Sequence, residues 1–233
     1  MNYTIILLLI ILLLIFYLSK NDNEYFYELI NNKITFIIPT IGRPTLSKSI
    51  ESLINQTNKN WEAIIIFDGI EPNIEVNDER IKVIQIDKKG RDKNSAGLVR
   101  NIGIQYVKTN WIGFLDDDDY LANDYIDCFY EELNLDPDMD VLIFRMNDKN
   151  KILPELETDN FYLNNVGISF AMKKKIFDKK LIFEPSSCED FEYLNLMRNN
   201  NYKIIISPYV KYFVRSEDTN NNNLKGNRVK INF

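Results

Sequence analysis

The 233-residue sequence contains no histidine and only two cysteines, Cys128 and Cys188. Without histidine there can be no Ser-His-Asp triad, no Cys-His pair and no imidazole ligand for a metal. Two cysteines this far apart are too few for a Cys-rich zinc site or for a disulfide framework. Proton transfer and metal binding must therefore fall mainly to Asp and Glu, with Lys, Tyr or a single Cys as weaker alternatives.

A surplus of basic residues is also missing. The 28 Lys and Arg residues are outnumbered by 34 Asp and Glu residues, and the formal net charge is -6. Domains that bind nucleic acid are usually basic, so we predict no nucleic-acid partner. The length and the 45% share of hydrophobic residues are sufficient for one globular domain with a buried core.

One long apolar run, residues 5–18, stands near the N-terminus. As a helix it would span roughly 21 Å, against about 30 Å for the hydrocarbon core of a bilayer. No basic segment precedes it and no small-residue cleavage site follows it, so the pattern favours an uncleaved anchor over a cleaved signal peptide. We predict a single-pass membrane anchor over residues 1–19 and a polar stalk over residues 20–32. The pattern leaves open which side of the membrane the remainder faces.

From residue 33 onwards, apolar strands alternate with amphipathic helices. This alternation predicts an α/β fold, with a mostly parallel sheet sandwiched by helices. The predicted strands lie at residues 33–40, 61–67, 81–86, 111–115, 141–145, 166–172, 202–206 and 210–214, the last two separated by Pro208. The predicted helices lie at residues 45–56 and 98–107, from Asn123 to about residue 133, and from Cys188 to about residue 198. Residues 220–233 read as a polar, solvated tail.

Four consecutive carboxylates, residues 116–119, follow the apolar strand at residues 111–115. Each raises the cost of ionising its neighbours, and a hard divalent cation such as Mg²⁺ or Mn²⁺ would relieve that cost. A solvated acidic turn is the alternative. Thr40 and Asp68 end two other predicted strands. Because ligands bind beyond the carboxyl ends of parallel strands, we expect these polar residues to share one site.

In this order and spacing, the motifs resemble those of the family 2 glycosyltransferases of the GT-A fold, over roughly residues 33–215. The matching blocks are IIPTIGRP at 37–44, WEAIIIFDG at 61–69, RNIGI at 100–104, FLDDDD at 114–119 and ED at 189–190. The resemblance implies a GT-A domain over residues 33–219. It implies an inverting hexosyl or N-acetylhexosaminyl transferase, which moves a sugar from a nucleoside-diphosphate sugar, usually UDP-linked, to a hydroxyl of a glycan, protein or lipid acceptor.

The resemblance also implies roles for individual residues. Asp190 would be the catalytic base, and Asp118 would bind the Mn²⁺ or Mg²⁺ ion. The residues expected to bind the nucleotide sugar are Pro39, Thr40, Asp68, Arg100, Asp116 and Asp117. Asp68 alternatively caps a turn, Arg100 alternatively forms a salt bridge, and Asp190, like its neighbour Glu189, alternatively serves the start of a helix.

Two other functions compete with this hypothesis. A nucleotidyltransferase on a similar fold usually carries a Gly-rich, basic loop after its first strand, whereas residues 41–44 contain a single glycine. A non-catalytic protein that binds nucleotide sugars would often have lost one of the acidic residues, yet Asp116, Asp118 and Asp190 are all present. Turnover that depends on a metal would separate these classes.

Overall fold

The computed structural model describes residues 33–89, 96–215 and 220–231. The predicted anchor at residues 1–19 and the stalk at residues 20–32 lie outside these ranges. Within the described ranges, no helix is long and apolar enough to cross a membrane.

A mixed sheet of ten strands forms the centre of the described chain. Its strands are β1 (Ile34–Thr40), β2 (Trp61–Asp68), β3 (Ile81–Ile86), β4 (Trp111–Phe114), β5 (Tyr120–Leu121), β6 (Val141–Asp148), β7 (Lys151–Leu153), β8 (Phe170–Lys173), β9 (Ile204–Val214) and β10 (Val229–Ile231). Their order is β10-β9-β6-β8-β4-β1-β2-β3, with β5 paired to β9 and β7 paired to β6.

The prediction of a mostly parallel sheet is correct for only one half of it. Strands β4, β1, β2 and β3 are mutually parallel, and β6 is parallel to β9. Strand β8 is antiparallel to both of its neighbours, β4 and β6, and β10 is antiparallel to β9. A parallel connection needs a long crossover, usually a helix, and no helix lies between β6 and β8. The chain therefore returns in the opposite direction.

Helices cover both faces of the sheet, as predicted. They are α1 (Leu46–Ile54), α2 (Ala96–Ile104), α3 (Tyr125–Leu135), α4 (Lys175–Asp178) and α5 (Glu189–Asn199). Successive residues of a strand point to opposite faces. On β1, the Phe36 ring packs edge-on against Tyr125 of α3 at a centroid distance of 5.5 Å, whereas Ile37 borders Gly103 of α2. Helices α2 and α3 therefore lie on opposite sides.

Several predicted details are wrong. The strand predicted at residues 166–172 begins only at Phe170, as β8. Pro208 does not divide two strands, because β9 runs through it. Between the pairs Ile143–Ile206 and Arg145–Val210, β9 carries extra residues that form a bulge, where proline need not donate to the ladder. Helix α3 begins after Asp124 and is not capped by Asn123.

Another error concerns the polar tail predicted at residues 220–233. Its residues 229–231 form β10, which pairs with β9. The apolar pattern of this segment is short and is interrupted by charged residues. In the structure, these charged residues form ion pairs: Lys230 binds Asp136 at 2.6 Å and Arg228 binds the buried Glu132 at 2.6 Å. Salt bridges of this kind let a charged segment join a sheet.

Gly113 of β4 tests how closely the core is packed. A Cβ atom there would lie 2.7 Å from Cε1 of Phe36, whose ring is already packed against α3. We expect Gly113→Ala to lower the free energy of unfolding by about 1–3 kcal/mol, as overpacking does. The exposed strand substitution Gln85→Ala is the control, expected to change stability by less than about 0.5 kcal/mol in urea unfolding. Equal stabilities of the two variants would contradict the packing argument.

Candidate functional site

The carboxyl ends of β1, β2 and β4 meet at one edge of the sheet, because these strands are parallel neighbours. Thr40 ends β1, Asp68 ends β2, and residues 115–119 follow β4. Thr40 Oγ1 donates a hydrogen bond of 2.6 Å to Asp117 Oδ2 and accepts one of 2.9 Å from the backbone N–H of Gly42. The loop after β1 and the loop after β4 are thus joined at Thr40, as expected for a shared site.

Asp117 serves this junction. Its buried carboxylate also accepts a hydrogen bond of 2.7 Å from Arg43 Nη1. Burial raises the pKa of Asp117 above its ordinary value, although the bonds from Thr40 and Arg43 oppose the shift. The sequence analysis predicts that Asp117 binds the donor. In the structure, its carboxylate is hydrogen-bonded to two protein side chains, Thr40 and Arg43. Its direct effect is to hold the two loops together.

Asp119 joins the same loop to β9. Its carboxylate accepts hydrogen bonds from the Tyr212 hydroxyl at 2.8 Å and from the Arg215 backbone N–H at 3.0 Å. The Tyr212 hydroxyl in turn accepts a bond of 3.2 Å from the backbone N–H of Asp116. Burial and the nearby Asp116 raise the pKa of Asp119 to about 8. Tyr212 and Asp119 therefore set the path of the acidic loop, a role that the sequence analysis did not assign.

Asp118 is the member of the acidic run that faces two exposed cations. Its Oδ2 atom lies 3.0 Å from Arg215 Nε and 3.5 Å from Arg43 Nη1. The Asp118 side chain is 17% exposed, whereas those of Asp117 and Asp119 are buried. Asp118 is therefore partly accessible and lies beside two exposed cations, whereas the other accessible member, Asp116, is bonded to the buried Arg100.

Arg100 of α2 lies among three carboxylates and is only 2% exposed. Its Nη2 atom donates to Asp116 Oδ1 at 2.6 Å, and its Nη1 atom donates to Glu189 Oε1 at 2.5 Å and lies 3.5 Å from Asp190 Oδ1. Burial lowers the pKa of Arg100, but Asp116, Asp190 and Glu189 raise it more, to well above its ordinary value. Arg100 thus forms the salt bridge that the sequence analysis kept as the alternative to binding the nucleotide sugar.

Glu189 connects the start of α5 to the start of α2. Its Oε2 atom accepts a hydrogen bond of 2.9 Å from the backbone N–H of Gly97, in the first turn of α2. A Cβ atom on Gly97 would lie 2.6 Å from that same oxygen. Glycine therefore lets the carboxylate reach the positive end of the helix. The adjacency of Glu189 to Asp190 was visible in the sequence, but its contact across the fold was not.

Asp190 lines a cavity of about 300 Å³ together with Arg100, Asp116 and Glu189. Its buried Oδ1 atom accepts no hydrogen bond from the described residues. Burial raises the pKa of Asp190 to about 7, with Arg100 opposing the shift and Asp116 and Glu189 adding to it. The structure thus brings a carboxyl group that titrates near neutrality to the same cavity as the first aspartate of the acidic run.

Two further residues that were predicted to bind the nucleotide sugar, Pro39 and Asp68, lie in β1 and β2. Pro39 is buried in β1, and Asp68 ends β2, where its Oδ1 atom accepts a hydrogen bond of 2.6 Å from the Lys89 backbone N–H. Its Oδ2 atom lies 3.7 Å from Lys88 Nζ. Asp68 therefore ties the end of β2 to the segment after β3.

No cluster of three or more acidic or cysteine residues in the described ranges could by itself hold a metal ion. A magnesium site with one or two carboxylates is usually completed by substrate phosphates and water. Asp118 and the neighbouring Asp116 fit this second kind of site in number and ligand type.

The chain matches the model of the family described as glycosyl transferase family 2 over residues 35–189. Since this match covers more than half of the sequence, the chain belongs to glycosyl transferase family 2. The resemblance inferred from the sequence motifs is confirmed.

Two relatives illustrate the range of the match. Glycosyltransferase GlyA of Streptococcus pneumoniae serotype 4 is 27% identical over 164 residues, which make up 67% of this chain and 22% of GlyA. The Escherichia coli protein WfgD, a UDP-Glc:alpha-D-GlcNAc-diphosphoundecaprenol beta-1,3-glucosyltransferase, is 26% identical over 211 residues, which make up 82% of this chain and 81% of WfgD. The chain thus spans about a fifth of one relative and about four fifths of the other.

The fold resembles that of Staphylococcus aureus TarS, in the crystal structure of its residues 1–349. The TM-score is 0.63 with 19% sequence identity, and the likeness covers 78% of this chain and 60% of the TarS chain. TarS has also been crystallised with UDP and with UDP-GlcNAc. The likeness supports the GT-A-like α/β fold.

Arg100→Met should leave three carboxylates without their shared cation. We expect the free energy of unfolding to fall by about 3–5 kcal/mol at pH 8, as when one partner of a buried ion pair is removed. The loss should be smaller at pH 5.5, because Asp190, with its pKa near 7, then binds a proton and needs no counter-charge. Urea unfolding at both pH values measures the difference.

The control is Lys174→Met, which removes an exposed ion pair with Asp178 within one helical turn. Such pairs contribute about 0.3–0.5 kcal/mol. An Arg100→Met effect that is as small as this, or that is identical at both pH values, would contradict the role given to Arg100.

Proposed function

We propose that the protein is an inverting glycosyltransferase that moves a sugar from a UDP-sugar to the hydroxyl of an acceptor. The observation that carries this proposal is the cavity in which Asp190 and Asp116 approach the same Arg100 guanidinium. One carboxyl group titrates near neutrality, and the other belongs to the acidic loop at the carboxyl edge of the sheet. Membership of glycosyl transferase family 2 supports the same reaction class.

Asp190 is suited to act as the general base. An acceptor hydroxyl must lose a proton as it attacks the anomeric carbon, and a base works best with a pKa near the working pH. The raised pKa of Asp190 meets this requirement. In the proposed reaction, the acceptor oxygen bonds to the anomeric carbon as the bond to the diphosphate oxygen breaks, and the hydroxyl proton passes to Asp190. A single displacement from the opposite face inverts the anomeric configuration.

The donor is assigned to the edge formed by Pro39, Thr40, Asp68 and Asp116. A UDP-sugar is supported by two relatives: the name of WfgD specifies UDP-Glc, and TarS was crystallised with UDP-GlcNAc. Asp117 and Asp119 hold the acidic loop in place, and Asp116 is left partly exposed toward the cavity.

We assign Asp118 as the carboxylate that would hold a Mn²⁺ or Mg²⁺ ion, with the donor diphosphate and water completing the coordination. A bound divalent cation would stabilise the negative charge that develops on the leaving diphosphate. In the structure, Asp118 is paired with Arg43 and Arg215, and both arginines are exposed. In the proposed site, both guanidinium groups would face the phosphate oxygens of a donor bound at Asp118, while Arg43 keeps its hydrogen bond to Asp117.

The N-terminal run at residues 5–18 supports a further part of the proposal, that the protein is attached to a membrane through residues 1–19. Such a position would bring the site close to a lipid surface on one side of the bilayer.

Asp190→Asn should abolish transfer and leave donor binding intact. General-base catalysis contributes about 10²–10⁴-fold, so we expect a fall in kcat of that size, measured as UDP release with Mn²⁺ and a panel of UDP-sugars. In the wild-type chain, kcat/KM should rise with pH and level off above about pH 7, as Asp190 loses its proton. The control is Glu192→Gln, an exposed acidic residue in the same helical turn.

Stability separates this effect from unfolding. The pKa of Asp190 is higher in the folded state than in the unfolded state, so the free energy of unfolding falls as the pH rises towards 7 and Asp190 ionises. Asp190→Asn removes this cost and should therefore be no less stable than the wild type at pH 8. Donor binding without turnover by the wild-type chain would instead favour a binding protein. A pH profile unchanged in shape by Asp190→Asn would exclude Asp190 as the base.

Asp118→Asn tests the metal. We expect UDP release to stop in EDTA and to return with Mn²⁺ or Mg²⁺. The variant should need ~10-fold more metal or more for half-maximal rate, since even indirect partners of a metal ligand change affinity by ~10–100-fold. The control is Asp138→Asn, which changes an exposed aspartate outside the acidic run. Full activity in EDTA would show that the reaction needs no metal.

A further inference from the structure

The loop at residues 161–167, named here the acceptor loop, forms one wall of the cavity that contains Asp190. Leu163, Asn164 and Val166 from this loop line the cavity. Leu163 is 46% exposed, although it is a large apolar side chain. Covering such an apolar side chain with a ligand is favourable, because it removes apolar surface from water.

Hydrogen bonds from the buried Asn165 and from Glu155 hold the acceptor loop in place. Asn165 is 1% exposed, and its Oδ1 atom accepts a hydrogen bond of 2.6 Å from the Tyr162 backbone N–H. Its Nδ2 atom donates to Glu155 Oε2 at 3.2 Å, and the Tyr162 hydroxyl donates to Glu155 Oε1 at 2.9 Å. These bonds restrain Leu163 and Asn164, the two residues between Tyr162 and Asn165, which are two of the three loop residues that line the cavity. A loop fixed before binding loses little entropy when a ligand arrives.

The cavity wall combines apolar and small polar groups. Leu163, Val166 and Phe191 offer apolar surface, and Asn164, Ser186 and Ser187 offer hydrogen-bonding groups. A pyranose ring has the matching chemistry, since it presents C–H groups on its faces and hydroxyl groups around its edge. Its volume also suits a cavity at the small end of the usual range for ligand sites.

Charge argues against an anionic acceptor in this position. Among the described residues that line the cavity, Arg100 is the only cation, and it is already paired with Asp116, Glu189 and Asp190. Within the described lining, a phosphate group would therefore meet carboxylates without a free positive charge to compensate them. A neutral group meets no such cost.

We propose that the acceptor loop binds the neutral sugar ring of a saccharide acceptor, with Leu163 against its C–H face and the reacting hydroxyl directed to Asp190. This proposal rests on the function proposed above. It makes Leu163 a residue that binds the acceptor, and Asn165 a positioning residue that acts through the loop.

The test uses the full 233-residue chain and two separate readouts. Hydrolysis of the UDP-sugar without acceptor reports on the proposed function alone. Transfer is then measured to neutral glycosides of glucose, galactose and N-acetylglucosamine, to a peptide containing Ser and Thr, and to a polyprenyl phosphate. We expect transfer to at least one of the glycosides.

Leu163→Ala should raise the KM for that glycoside by about tenfold or more, with the KM for the UDP-sugar unchanged. Asn165→Ala should produce the same split, with an unchanged far-ultraviolet circular dichroism spectrum as evidence that it is folded. The control is Leu135→Ala at the end of α3, a leucine that is 68% exposed and does not line the cavity.

Three results would overturn the proposal while leaving the glycosyltransferase assignment standing, provided that the UDP-sugar is hydrolysed. They are transfer only to the peptide or the polyprenyl phosphate, transfer to no member of the panel, and an acceptor KM that Leu163→Ala and Asn165→Ala leave unchanged. Failure of the wild-type chain to bind or hydrolyse any UDP-sugar would instead overturn the proposed function, and this inference with it.

Discussion

The site depends on one buried cation. Arg100 contacts Asp116 from the loop after β4 and both Glu189 and Asp190 from the start of α5. Without it, three carboxylates from distant parts of the chain would repel one another in a poorly solvated place. With it, the acidic loop and the proposed base approach a common point. Burial raises the pKa of Asp190, and Arg100 offsets this shift only in part because Asp116 and Glu189 share the same guanidinium.

The four consecutive aspartates show how the fold gives identical residues different tasks. Asp117 is bonded to Thr40 and Arg43, Asp119 to Tyr212, and Asp116 to Arg100. Asp118 alone of the four faces two exposed arginines. Two members therefore hold the loop in place, so that the other two can be presented at the edge of the sheet.

Much of the fold followed from the spacing of apolar residues. The strands of the parallel half lie within about one residue of their predicted bounds. Strands β1, β2 and β4 are nearly continuous apolar runs buried on both faces, whereas the edge strand β3 keeps only three isoleucines partly buried. The direction of β8 and the pairing of β10 could not be obtained in this way. Apolar spacing identifies a strand but carries no information about its partner, and β10 is short and joined to the core partly through ion pairs.

The sequence by itself determined which chemistry was available: with no histidine and two cysteines, carboxylates had to carry it, and the motif order identified the family. Only the tertiary structure decided which carboxylate does what. Glu189 and Asp190 are adjacent in the chain and both line the cavity. Glu189 is hydrogen-bonded to the start of α2 and to Arg100, whereas Asp190 Oδ1 accepts no hydrogen bond from the described residues. The physical reason is that burial and ion pairing depend on neighbours in space, and most of those neighbours lie far away in the sequence.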